Sequence, residues 1–205
     1  MEETKQERTC KLLAKFYIIV AYIVPIIPIV TKGAIVSIAF VAVPVCLGIF
    51  NGVYLKKNRN FITREVLLQC TIRVKYLLIP MYVVGGLLNT CLIFLTFSPV
   101  IIYLFVGPVL VALLSAYGYM IMLGGSAFSF SYIKKSKQDG THSRIICIAT
   151  SVLQLVFTFD VLSVAVLAIK EKKYCRSTIA VIVSLILGFA GIIAFITIML
   201  IRLLA

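Results

Sequence analysis

Apolar residues fall in six runs that are apolar on every face, and Lys- and Arg-rich segments separate them. The runs cover residues 12–31, 34–55, 76–97, 100–123, 145–169 and 179–201. About 20 apolar residues in a helix cross the roughly 30 Å of hydrocarbon in a bilayer. A helix also closes its own backbone hydrogen bonds there, which an open strand cannot do. The period-two alternation of a transmembrane barrel is absent. The pattern predicts an all-α, polytopic helical membrane protein with six transmembrane helices, in a single integral membrane domain over residues 1–205.

The polar connectors organise these helices. Little more than Lys32-Gly33 joins the first two runs, and Ser98-Pro99 joins the third and fourth. Links this short imply antiparallel neighbours, hence three hairpins. Longer polar segments follow at 56–75 and 134–144. With the N-terminus inside, fifteen of the twenty Lys and Arg residues fall on the cytoplasmic side. That bias orients the chain as a multi-pass protein of the cell membrane with both termini cytoplasmic. One loop departs from it: Lys170, Lys172, Lys173 and Arg176 would lie outside. A dip of 145–169 that returned without crossing would remove the exception. Its 25 residues are short for two half-depth helices and a turn, so a full crossing is expected.

Composition narrows the class further. Hydrophobic residues make up 62% of the chain and charged residues 13%, with a mean hydropathy of +1.12, so a bilayer must cover the surface. The net charge of +13 is largely the topology signal. It suits anionic inner-leaflet lipids rather than nucleic acid, since no basic domain stands outside the runs.

Some stretches do not read as simple spans. In 61–75, Val66, Leu67, Cys70 and Val74 share one helical side, which suggests an interfacial helix. Past the fourth run, Gly124-Gly125 is the expected break in an otherwise overlong helix, with Phe128, Phe130 and Tyr132 as an aromatic belt. Pro25 and Pro28 should kink the first run, and Asn51-Gly52 should help end the second. Ser184, Gly188, Gly191 and Ala194 mark a helix-packing side, as do Gly85-Gly86, Ser115 and Gly118.

Few residues offer chemistry. Asp160 is the one acid well inside a run, and such a residue must face the bundle or be held as the neutral acid. Ser163 lies one turn away, and Asn89 is the expected cross-helix partner, no basic residue being assigned to that depth. The three form a candidate ligand or ion site, or a contact that orients helices. His142 precedes Cys147 by five residues, and the fragment resembles membrane endopeptidases that process quorum-sensing peptide precursors. Those place the cysteine seven residues after the histidine, so a peptidase is the distant alternative. No Cys-x-x-Cys, His-Glu-x-x-His, Gly-x-Ser-x-Gly or Walker pattern occurs. No catalytic residue, metal or cofactor is expected, and the six cysteines read as free thiols.

Leu47–Lys57 and Leu153–Ser163 resemble small multi-spanning proteins of Gram-positive bacteria grouped as families of unknown function. The resemblance implies a bacterial inner-membrane protein without an assigned reaction. A non-enzymatic membrane protein acting through lipid or protein contacts, or as a homo-oligomer, is the leading expectation. A small transporter or permease subunit using Asp160 is the alternative.

Overall fold

The structure is a computed structural model that describes residues 4–26, 34–97, 101–156, 159–172 and 174–204. These residues are almost entirely helical, and four helices are long and apolar enough to cross a membrane: Lys5–Ile26, Arg64–Thr96, Ile102–Gln138 and Cys175–Arg202. They belong to two compact units. The first comprises Met1–Leu78 and Tyr119–Lys173, the second Ile79–Gly118 and Tyr174–Ala205.

In the first unit, helix α1 (Lys5–Ile23) begins with a capping box. Thr4 Oγ1 accepts the Glu7 N–H at 3.3 Å, and Glu7 Oε2 accepts the Thr4 N–H at 3.3 Å, so two orphan donors are satisfied. The other carboxylate oxygen of Glu7 accepts the N–H of Thr63 at 3.1 Å. Thr63 is the N-cap of α3 (Arg64–Leu77), so one buried acid ties the starts of two helices. Pro25 ends α1 in a short 3-10 turn, Val24–Ile26. Pro28 lies outside the described residues. Helix α2 (Ala34–Asn58) runs through Asn51-Gly52, which therefore does not terminate it. Instead Asn58 Nδ2 donates to the Tyr54 carbonyl at 3.0 Å in the last turn.

Helix α3 buries Leu67, Leu68, Cys70, Thr71, Ile72, Val74 and Lys75, a wider surface than the single apolar side of an interfacial helix. It packs on α1 and on the segment before residue 170. After Leu78 the chain continues as α4 (Ile79–Thr96).

Helix α5 (Ile101–Gln138) is unbroken over 38 residues, so Gly124-Gly125 does not end it. The glycines serve close approach instead. A Cβ on Gly124 would collide with Tyr17 Oη and lie 2.7 Å from the Pro44 carbonyl; one on Gly125 would lie 3.1 Å from Val74. Tyr17 Oη donates to the Ile121 carbonyl at 2.6 Å beside that contact. Phe128 and Tyr132 are buried and only Phe130 is exposed, so the expected aromatic belt does not form. After α5 the chain turns at Gly140, whose φ of 65° lies in the left-handed region that glycine tolerates.

The fifth expected span is not one helix. It divides into α6 (Arg144–Leu153) and α7 (Phe159–Lys170), 10 and 12 residues long, which pack on each other. The two far ends of this helical hairpin meet, since His142 Nε2 lies 3.5 Å from Glu171 Oε1. Length argues for one long helix; helices of 10 and 12 residues fit because the turn between them is short.

In the second unit, α4 packs against α8 (Cys175–Leu204). Ordinary van der Waals contacts would meet a Cβ on Gly86 (Ile192, 3.7 Å) and on Gly188 (Val83, 3.4 Å). Gly85 and Gly191 have open space beside them.

Candidate functional site

Asp160 is held in the first turn of α7, where its Oδ1 accepts the Val161 N–H at 2.7 Å. Its Oδ2 accepts from Lys75 Nζ at 2.7 Å, and the two side chains are 1% and 0% exposed. Lys75 Nζ also donates to Ser126 Oγ of α5 at 3.0 Å. A buried charge pair survives only where such additional bonds satisfy its remaining polar atoms. The expectation that Asp160 lacks a basic partner is thereby overturned. Lys75 carries no motif, and its position between a charged connector and an apolar run assigned it to the membrane surface. The signal that could have found it is its helical register: Lys75 shares a side with Leu68, Thr71 and Ile72, whereas Arg73 does not.

The turn between α6 and α7 is built around the same place. Gln154 is buried, and its Nε2 donates to Ser163 Oγ at 2.7 Å and to the Asp160 carbonyl at 3.2 Å. Ser163 Oγ in turn donates to the Asp160 carbonyl at 2.9 Å. Tyr119 Oη of α5 donates to the Leu155 carbonyl at 3.2 Å, while Ser126 Oγ, which donates to the Met122 carbonyl of its own helix at 2.8 Å, lies 3.4 Å from that of Gln154. A turn leaves carbonyls without helical partners, and such side-chain donors satisfy them. Asp160 and Ser163 are therefore brought together. Asn89 belongs to the second unit, where its Nδ2 donates to Ser115 Oγ of α5 at 3.0 Å.

A second polar cluster closes the other end of the hairpin. Tyr132 Oη donates to Glu171 Oε1 at 2.5 Å and lies 3.3 Å from His142 Nε2. Arg64 Nε lies 3.5 Å from the same carboxylate oxygen, and Arg64 Nη1 donates to Thr141 Oγ1. Burial pulls the His142 imidazolium pKa below its ordinary value; Lys170 and Arg64 act in the same sense, while Glu171 opposes them. An acid thus faces this histidine, brought to it from the far end of the hairpin. The contact of Cys147 Sγ is with the His142 carbonyl oxygen at 4.0 Å. The imidazole itself faces Tyr132 and Glu171, so the geometry does not assemble the thiol–imidazole contact that a cysteine peptidase needs.

Beside this cluster is a cavity of about 370 Å3 lined by Arg64, Thr141, His142, Ser143, Lys170 and Glu171, with Ile146 as its apolar wall. Among the described residues no three His, Cys, Asp or Glu side chains converge as a metal site. The cysteines are free thiols, and Cys10 and Cys70 bring their sulfurs to 3.5 Å across α1 and α3.

Comparison with known protein families gives a match. The profile described as Family of unknown function (DUF6652) matches residues 7–173, a stretch that contains both polar clusters and the whole hairpin. No curated protein and no solved structure matches.

Proposed function

The chain thus belongs to a family of unknown function, and we propose that it is a non-enzymatic, multi-pass membrane protein that acts through lipid or protein contacts. The observation that carries this reading is the closure of Asp160: both its oxygens accept protein donors, and Lys75 and Asp160 are almost wholly inaccessible. A transport or catalytic carboxylate needs a face toward its substrate. This one links α3, α5 and α7 instead.

In our proposed topology the N-terminus is cytoplasmic, and α1, α2, the α3–α4 pair, α5 and α8 cross the membrane. The α6–α7 hairpin enters from the cytoplasmic face and returns to it. Helices of 10 and 12 residues span about 15 and 18 Å, each roughly half of a 30 Å hydrocarbon layer. The meeting of His142 with Glu171 supports entry and exit on one side. This arrangement also moves the basic loop at 170–176 inside and leaves only Lys32 and Arg202 on the far side, a stronger charge bias than six crossings allow. The expected cytoplasmic placement of both termini requires an even number of crossings; five put the end of α8 outside. The setting that fits is a bacterial inner membrane, with anionic inner-leaflet lipids against the basic face and a membrane protein or second copy as further partners.

Cysteines introduced singly in a cysteine-free background test the topology. Position Lys172 should be protected from an impermeant thiol reagent in intact cells and label after permeabilisation, as should Asp139. Labelling of Lys172 from outside restores the full crossing of 145–169.

One observation favours a second reading, a small transporter or permease subunit: paired charges buried among apolar helices often mark ion pathways. The paired replacement Lys75→Met/Asp160→Leu separates the two. A structural pair tolerates it, whereas a transport pair keeps its folded yield and loses flux or the associated phenotype.

A further inference from the structure

We propose that the α6–α7 hairpin is a one-leaflet wedge, which makes the protein favour membrane that is convex on its cytoplasmic side. The partner is the lipid surface itself, and the inference rests on the membrane reading above. Its first support is the polarity of the hairpin, which is the reverse of a helix pair facing water. From Ile145 to Ile169 every exposed residue among those described is apolar, including Ile148, Val152, Phe159 and Val166. The polar side chains of Thr150, Gln154, Asp160 and Ser163 are buried. Exposed charge resumes at Arg144 and Lys170, the two ends of the hairpin. An apolar face bounded by cations fits acyl chains along its length and headgroups at its ends.

Length is the second support. Helices of 10 and 12 residues rise about 15 and 18 Å, the depth of one leaflet in a 30 Å hydrocarbon layer. Both ends lie on one side, where His142 meets Glu171. The bonds of Lys75 to Asp160 and to Ser126 fix the hairpin to α3 and α5, so the wedge is built in rather than adsorbed. Two helices about 10 Å across take roughly 150 Å2 from the cytoplasmic leaflet. The crossing helices take area from both leaflets and do not offset it. Curvature supplies the missing area: in a tube about 300 Å across, the outer face of a 30 Å layer is about a quarter larger than the inner. The hairpin is therefore accommodated best where the cytoplasmic leaflet is the outer one, the curvature sensitivity expected of apolar faces set into one leaflet.

The full chain, in a cysteine-free background with Lys172→Cys or Arg202→Cys, is reconstituted into giant vesicles. An impermeant fluorophore added outside marks only the molecules that present that position outward. Tubes of the width above are drawn from the vesicles, and protein per lipid in the tube is compared with the parent membrane. Molecules marked at Lys172→Cys should be enriched about twofold, and those marked at Arg202→Cys depleted by a similar factor. Shaving the outer face with Ile148→Ala/Phe159→Ala/Val166→Ala should lower the enrichment, and Ile148→Trp/Val166→Trp should raise it. These side chains are exposed, so thermal midpoints should hold; if a variant does not fold, the two orientations still decide. Equal density in tube and parent for Lys172→Cys, or enrichment of both orientations, overturns the wedge. An enrichment that neither set of variants moves belongs to another part of the chain and overturns it too. Labelling that gives five crossings without sorting refutes this inference alone, whereas a full crossing of 145–169 removes the topology and the wedge together.

Discussion

Replacing Asp160 with leucine removes the carboxylate that faces Lys75 Nζ, which then keeps Ser126 Oγ as its described partner. Stranding one member of a buried ion pair costs about 3–5 kcal/mol. The Val161 N–H also loses its acceptor, which adds about 1 kcal/mol. Asp160→Asn keeps an acceptor for each donor but makes the bond to the ammonium neutral, for a loss of about 1.5–3 kcal/mol. Lys75→Met alone strands the carboxylate and should cost about 3–5 kcal/mol as well. The double replacement Lys75→Met/Asp160→Leu leaves no charge behind and fills the space with apolar atoms, so it should fall within about 1–2 kcal/mol of wild type. The resulting coupling energy of at least about 5 kcal/mol would be unusually large for a contacting pair. It can be read from reversible SDS unfolding in mixed micelles, followed by far-UV circular dichroism, with monodisperse yield as a second readout. A loss below about 1 kcal/mol for Asp160→Leu would refute the reasoning. So would a double variant as damaged as the sum of its singles.

Three further outcomes test separate parts of the structure. Gly124→Ala should lower the thermal midpoint, with a cost of about 1–3 kcal/mol for the clash with Tyr17 and the Pro44 carbonyl, while Gly191→Ala, with open space beside it, should be neutral. A membrane-permeant oxidant should join Cys10 to Cys70, read as two fragments held together after cleavage between them; failure would contradict the packing of α1 on α3. His142 has a folded-state pKa below its ordinary value, so its contribution is fully present above that value and lost as pH falls through the folded one. Thermal midpoints should therefore drop on acidification from neutral pH more in wild type than in His142→Gln, and equal drops would assign the effect elsewhere.

Much of the helical content is legible in the sequence, because the helices long and apolar enough to cross a membrane coincide with long apolar runs. The hairpin is not. Residues 145–169 are predominantly apolar, and Gln154, the one amide among them, carries no more weight in the pattern than a serine. Its meaning depends on Ser163 and on the Asp160 carbonyl, which only the folded turn brings near. The same holds for Gly124-Gly125, which permits either a break or a close approach. The presence of Tyr17, more than 100 positions earlier, selects the second.

By itself the sequence determined the helical class, the long apolar runs and the clustering of Lys and Arg between them, since each depends on local composition and length. Which charges pair, and whether an apolar run forms one helix or two, depended on tertiary structure. Lys75 and Asp160 are 85 positions apart, and the cost of burying either one falls only when folding brings the other within hydrogen-bonding distance.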